Sequence, residues 1–289
     1  MYFPCSGVPD RGNRNRRGRE PVPHKGSRSH IGLALAAPLL AVTAACEMAV
    51  GPLSGRATDT WTHTYPLATG GEVQVVNTNG KVEIEGVEGA AVEIRAERVA
   101  RATTNEGARE LLSRVVIRED VTPDRVSVRT ERMSGIMIGA GFEVRYHVKA
   151  PKGATVRATT TNGEIDVAAL SGKLIAQTTN GDLNAKDLTG GVDARTTNGD
   201  VRIDVASLGA DRVELTTTNG SVTLLLPETA KADLSASCTN GGIDVSAVKV
   251  DAMGEQTRRR VEGRINGCGT PIQLRTTNGR IRVRPRAAT

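Results

Sequence analysis

Three carboxylates occupy one phase of a repeat: Glu164, Asp182 and Asp200 each follow an asparagine by two residues, at intervals of 18 residues. Stacked on adjacent strands roughly 4.8 Å apart, they would repel one another and invite a cation, with calcium bridging as the chemistry. The competing reading is a hydrated acidic stripe relieved by nearby lysine or arginine, and the Gly-Gly-x-Gly-x-Asp spacing of calcium-binding rolls is missing. Trp61, His63 and Tyr65 alternate along one stretch, either as a recognition patch or as the cover of a first structural unit. His63 and His147 have no ligand partners at metal-site spacing. The run Arg258-Arg259-Arg260 reads as a solvated loop or as a contact with an anionic surface. No cofactor is expected, and the acidic column is the one metal candidate.

Abundant carboxylates also raise polysaccharide cleavage by paired acids. Beyond His147 the chain has no histidine, and beyond Tyr146 no Phe, Tyr or Trp. Sugar-acting clefts use aromatic platforms, and acid–base catalysis needs groups of tuned pKa. The residues therefore point away from an enzyme.

The cysteines and the N-terminus bear on location. Ile31 to Ala45 is an apolar stretch that follows a basic lead containing Arg11, Arg14, Arg16, Arg17, Arg19, Lys25 and Arg28. It is too short to span a bilayer and reads as the core of a signal peptide. Val42-Thr43-Ala44-Ala45-Cys46 resembles a bacterial lipobox, with Thr43 departing from the usual leucine. We expect residues 1–45 to be a signal peptide with a basic leader, 46–58 a tether lipidated at Cys46, and 59–289 the folded domain. Simple secretion and a retained anchor are the alternatives, and a start at Val22 would give the leader an ordinary length. The expected location is the bacterial cell envelope, lipid-anchored, on its periplasmic or outer surface. Much of the net charge of +6 belongs to the leader, so it does not argue for nucleic acid. Cys238 and Cys268 then form an even pair in an oxidising compartment and are candidates for a disulfide. The alternative is a buried free thiol at Cys238.

The elements that must position these groups are repeats. Asn-Gly follows Thr at Asn79, Asn162, Asn180, Asn198, Asn219, Asn240 and Asn278, with spacings of 83, 18, 18, 21, 21 and 38 residues. Six residues before the last six asparagines stand Val156, Leu174, Val192, Val213, Leu234 and Ile272; two before stand Thr160, Thr178, Thr196, Thr217, Cys238 and Thr276. Three residues after come Ile165, Leu183, Val201, Val222, Ile243 and Ile281. Apolar residues alternate with polar ones on both sides of the turn, so each unit is two short strands with one buried face.

Asn-Gly between alternating strands also signals a hairpin meander. The return of one inward residue type at one phase favours stacked coils. We expect an all-β chain folded as a parallel β-solenoid, a single-stranded β-helix. Residues 59–150 form irregular N-terminal coils and 151–289 regular ones. One short helix falls at Thr104 to Arg114, capped by Thr104 or Asn105. The turn ladder comprises Asn162, Asn180, Asn198, Asn219, Asn240 and Asn278, whose side chains stack, and Gly163, Gly181, Gly199, Gly220, Gly241 and Gly279, which supply the positive φ. The final strand, Arg280 to Arg286, carries four arginines and a proline. At a free end they would oppose pairing with another chain, and a monomer is expected.

Asn79-Gly80-Lys81-Val82-Glu83-Ile84-Glu85-Gly86, Val148-Lys149-Ala150-Pro151-Lys152-Gly153, the serial Thr-Thr-Asn-Gly turns and Leu224-Leu225-Leu226-Pro227 together resemble a bacterial "putative adhesin" family of unknown function, the YvlB-like group. The resemblance covers about residues 58–283. It implies a β-helical, envelope-associated domain, often in lipoproteins, with no established catalytic residues to carry over. The expected role is a non-enzymatic, envelope-anchored module that touches the membrane through its lipid and binds an envelope protein or glycan. A polymerising scaffold is the alternative, and a polysaccharide-acting β-helix enzyme the third reading.

Overall fold

The computed structural model describes residues 53–131, 139–253 and 256–287. The leader, the apolar stretch and Cys46 lie outside the described residues.

Strands β1 (Gly55–Pro66), β2 (Glu72–Val76), β3 (Val82–Val87) and β4 (Ala91–Ala102) precede helix α1 (Asn105–Ser113). The first strand begins at Gly55, inside the segment read as tether. Thr104 caps the helix, its Oγ1 accepting from Gly107 N at 3.1 Å, and Ala108 and Leu111 turn inward. After the helix come β5 (Ile117–Thr122), β6 (Arg125–Thr130) and β7 (Ala140–Pro151).

The regular coils follow as strand pairs about an Asn-Gly turn: β8 (Thr155–Thr159) with β9 (Ile165–Ala168), β10 (Leu174–Asn180) with β11 (Leu183–Leu188), β12 (Val192–Asn198) with β13 (Val201–Val205), and β14 (Val213–Asn219) with β15 (Val222–Leu226). β16 (Ala232–Asp244) runs through its turn unbroken, β17 (Val250–Ala252) and β18 (Arg260–Ile265) form an excursion, and β19 (Thr270–Pro285) again runs through its turn.

The expected columns form in register. Leu174 pairs with Val192, Val192 with Val213 and Val213 with Ile272, all in parallel. Strands before the turn stack as β6-β2-β8-β10-β12-β14-β19-β16, and strands after it as β7-β3-β9-β11-β13-β15-β19-β16. Both series enclose one core of buried Val, Leu, Ile and Ala.

Three expectations need correction. The sheet is mixed, because β1 pairs β4, β4 pairs β7, β5 pairs β6 and β18 pairs both β16 and β17, all antiparallel. Parallel neighbours need long crossovers, whereas a tight turn can fold a strand back antiparallel over an exposed end. Antiparallel strands cover both ends of the stack, β4 and β5 at one and β18 at the other, and of these only β5 is joined to its partner by a tight turn.

The coils also do not stack in chain order. β19 inserts between β14/β15 on one side and β16 on the other. The arginine-rich last strand is therefore interior and blocks no edge. Arg286, just beyond it, reaches back across the stack to pair with Asp187 and with Asp204, the latter at 3.2 Å.

The tentative disulfide is absent as well. Cys238 is buried and Cys268 exposed, both free. Thr270 pairs with Ala232, six residues before Cys238, so the two cysteines are separated by roughly 20 Å of strand, far beyond disulfide reach. Cys238 fills an inward position of the threonine row, and burial pushes its thiol pKa up.

Tyr146 is the one aromatic side chain buried completely among the described residues. Its hydroxyl shares a 2.8 Å hydrogen bond with Thr130 Oγ1, which also donates to Asn77 Oδ1 at 3.1 Å. Burial pushes the phenol from its ordinary 10.0 up to about 12. Its folded pKa lies above the unfolded value, so the neutral phenol's full stabilisation holds below pH 10 and is lost as pH rises toward 12. Two units correspond to about 3 kcal/mol. Urea titrations of the wild type and Tyr146→Phe from pH 9 to 12 should show a steeper loss for the wild type. Lysine deprotonation acts on both chains and cancels in the comparison, so parallel curves would refute this coupling.

Candidate binding face

The strands after the turn direct their polar side chains outward, and register aligns these into rows. Arg95 on β4 lies beside His147 on β7, which lies beside Glu83 on β3, itself beside Asp166 on β9. The row continues through Asn184, Arg202 and Thr223 to Arg282. The row from Arg95 as far as Arg202, together with a second row that includes Glu93, Lys149 and Glu85, lines a groove of about 1070 Å³ that Arg286 and Ala287 also border.

Charges in the groove are largely matched. Lys81 Nζ sits 2.6 Å from Asp166, 3.0 Å from Glu83 and 3.5 Å from Glu164, and these carboxylates raise the lysine pKa against its partial burial. His147 Nδ1 is 2.6 Å from Glu83. Burial alone would raise Asp166, but hydrogen bonds from Lys81 and Asn184 outweigh it and hold the carboxyl below its usual range. Glu164 is shifted the other way, by burial and then by the charge of Asp166. Burial likewise raises Asp204, against the nearby Arg286. Such a surface offers many donors and acceptors at fixed spacing.

The acidic column forms, and each member finds a protein donor. Asn184 Nδ2 donates to Glu164 at 2.6 Å, Asp200 N to Asp182 at 2.8 Å, and Ser221 N to Asp200 at 2.7 Å. Among the described residues no three His, Cys, Asp or Glu side chains are grouped to hold a metal ion. The column thus links successive coils through these donors.

The turn asparagines make the ladder. Nδ2 of Asn162 donates to Oδ1 of Asn79, Asn180 to Asn162, Asn198 to Asn180 and Asn219 to Asn198, each at 2.8 Å. Asn278 then donates to Asn219 at 2.7 Å and Asn240 to Asn278 at 2.8 Å, following the spatial order of the coils. Beneath them, Thr178, Thr196, Thr217 and Thr276 donate to the glycine carbonyls of the preceding coil in the stack.

Trp61 and His63 stack at 4.4 Å, with Tyr65 tilted beyond them. They stand opposite Ala96, Ile94 and Val92, three buried residues of β4, so they face the inner side at the first end of the stack. Glu119 of β5 accepts from the Tyr65 hydroxyl and lies 3.4 Å from His63. The cluster closes the core end while leaving His63 exposed.

The lysine hub at Lys81, the His147–Glu83 pair, Asn77 and the partners of Arg286 escaped the sequence reading. Asn77 alone carried a usable signal: it stands two residues before Asn79, where the other turns place threonine or cysteine.

The Toastrack DUF4097 family model matches residues 67–284. The chain belongs to that family. The Toastrack match runs from just after β1 into the last strand, so it includes the return of β19 into the stack. A "putative cell adhesion protein" from Clostridium sporogenes is similar in structure at 12% identity and TM-score 0.45, covering 79% of this chain and 100% of that one. A "putative adhesin" from Bacteroides fragilis is similar at 11% identity and TM-score 0.40, covering 78% and 97%. No curated protein matches the chain.

Proposed function

We propose that this Toastrack chain is a non-enzymatic, adhesin-like binding module displayed in the bacterial envelope by a lipid on Cys46, with the polar groove as its contact face. The observation that carries this reading is the row from Arg95 to Arg282, a continuous band of outward charged and polar side chains held in register by strand pairing, antiparallel at β4–β7 and parallel from β7 onward. Rigid presentation of many weak contacts lowers the ordering cost of binding an extended partner. The groove carboxylates Glu83 and Asp166 are tied to Lys81, His147 and Asn184, an arrangement suited to static recognition.

Isolated envelopes provide the test. The folded domain should be retained on them, and Arg95→Glu with Lys149→Glu should weaken retention roughly tenfold through charge reversal. Equal retention would move the contact off this face, and no retention would remove the binding reading. Radiolabelled palmitate should enter the wild type and not Cys46→Ser. Sustained release of reducing sugar from envelope glycans, lost in Glu164→Gln, would instead make the protein an enzyme.

A further inference from the structure

We infer that beyond the groove, where the same row of outward side chains continues past Arg202, lies a docking surface for a linear phosphate-bearing polymer, built by Arg202, Arg258, Arg280 and Arg282 with the hydroxyls of Ser221 and Thr223. This deepens the binding-module reading and rests on it. Arg202 on β13, Thr223 on β15 and Arg282 on β19 are successive cross-strand neighbours on the outer face. Arg280 lies two residues before Arg282 and pairs with Gly242 of β16. Arg258 comes from the excursion: its carbonyl accepts from Ile243 N at 3.1 Å, and its Nε lies 3.7 Å from where a Cβ on Gly242 would stand. The excursion thereby brings its guanidinium over the same face, beside Arg280.

None of the four guanidiniums has a carboxylate within ion-pair distance among the described residues, whereas Arg284, Arg286, Arg260 and Arg264 all do. The adjacent carboxylates are already engaged. Asp200 accepts from Ser221 N, and Asp244 is held by Arg284 and Ser246. Attraction for an external anion is therefore not cancelled within the patch.

Spacing identifies the occupant. Arg280 and Arg282 are about 7 Å apart along a strand, and Arg202 and Arg282 are about 10 Å apart across two strand intervals. Positive groups at such intervals on an open face match charges that recur along a chain better than one small anion. Guanidinium forks present paired donors to phosphate oxygens, and the two hydroxyls add neutral donors beside them. β19 lies eight strand steps, roughly 38 Å, from β1. In a chain tethered ahead of β1, the patch lies toward the opposite end of the stack from the tethered strand.

Inorganic polyphosphate of defined length is the probe, titrated calorimetrically into the folded domain. Saturable binding is expected, weakened at least about tenfold in Arg280→Ser/Arg282→Ser. Arg129→Ser/Arg275→Ser, which removes the same charge from the opposite strand series, should stay within about twofold. Equal loss in the two double variants, absence of saturable binding, or tighter binding to polygalacturonate or to phosphatidylglycerol vesicles would overturn the assignment. Melting curves of both variants establish that they fold. Retention on isolated envelopes separates this inference from the broader reading. If Arg280→Ser/Arg282→Ser is retained like the wild type, the patch is not the contact and the module stands; if the wild type is not retained either, both fall.

Discussion

Gly181→Ala should destabilise the protein by about 3 kcal/mol or more, read as a lowered urea midpoint at unchanged m-value. Two effects add. Gly181 has φ +150°, and a Cβ there would overlap the carbonyl oxygen and carbon of Gly163 in the preceding coil. The same overlap recurs at Gly199 against Gly181, at Gly220 against Gly199 and at Gly279 against Gly220. The carbonyl belongs to a backbone fixed on both sides by parallel pairing, so it cannot move aside as a side chain tip would. Gly89 provides the contrast, with φ +126° and nothing within 4 Å of where a methyl group would stand. Gly89→Ala should cost only about 1 kcal/mol, from backbone conformation alone. Equal losses at the two sites would mean that φ, and not close stacking, makes the turn glycines necessary.

Asn77→Ala should cost about 3 kcal/mol, because a buried amide with several partners leaves each of them unsatisfied when removed. Asn77 is 3% exposed. Its Nδ2 donates to the carbonyls of Val144 at 2.8 Å, Gly80 at 3.1 Å and Asn79 at 3.2 Å. Its Oδ1 accepts from Thr78 N at 2.9 Å and from Thr130 Oγ1 at 3.1 Å. At the equivalent position Thr178, Thr196, Thr217 and Thr276 each reach a single glycine carbonyl, and the Thr160 hydroxyl reaches none. Asn77→Thr should therefore restore only part of the loss, and thermal melts that place it level with the wild type would show that the extra contacts are energetically idle. The network lies where the irregular coils meet the regular ones, with Tyr146 against it, so the Asn77 and Tyr146 variants should couple when combined.

Much of the candidate face was legible before its geometry. Asp166, Asn184, Arg202 and Thr223 announce themselves as outward residues because their neighbours at i±1 are aliphatic, and that alternation suffices to place a side chain on one side of a strand. The strand pairing of Glu83 with His147 was not legible, since it depends on β7 lying beside β3 from about 60 residues away, after an intervening helix and three strands. The three acidic residues were legible as a column. Their chemistry was not, because the backbone and amide donors of the next coil decide whether a carboxylate is free for a cation.

Residue type at fixed spacing determined the strands, the buried faces, the Thr104 cap and the asparagine ladder, since each depends on local conformation or on one contact repeated from coil to coil. Tertiary structure alone decided the order of the last coils and the fate of the two cysteines. Val213 can stack on Leu234 or on Ile272 with similar apolar contact, so the alternation of the repeat does not by itself choose between β16 and β19 as the neighbour of β14. The folded chain places β19 there, where Thr276 Oγ1 donates to Gly220 O at 2.9 Å. Cys238, the poorer donor of that row, takes the outer coil. Its pairing with Thr276, eight residues beyond Cys268 in the chain, then holds it far from Cys268, a separation set by register and not by the residues between them.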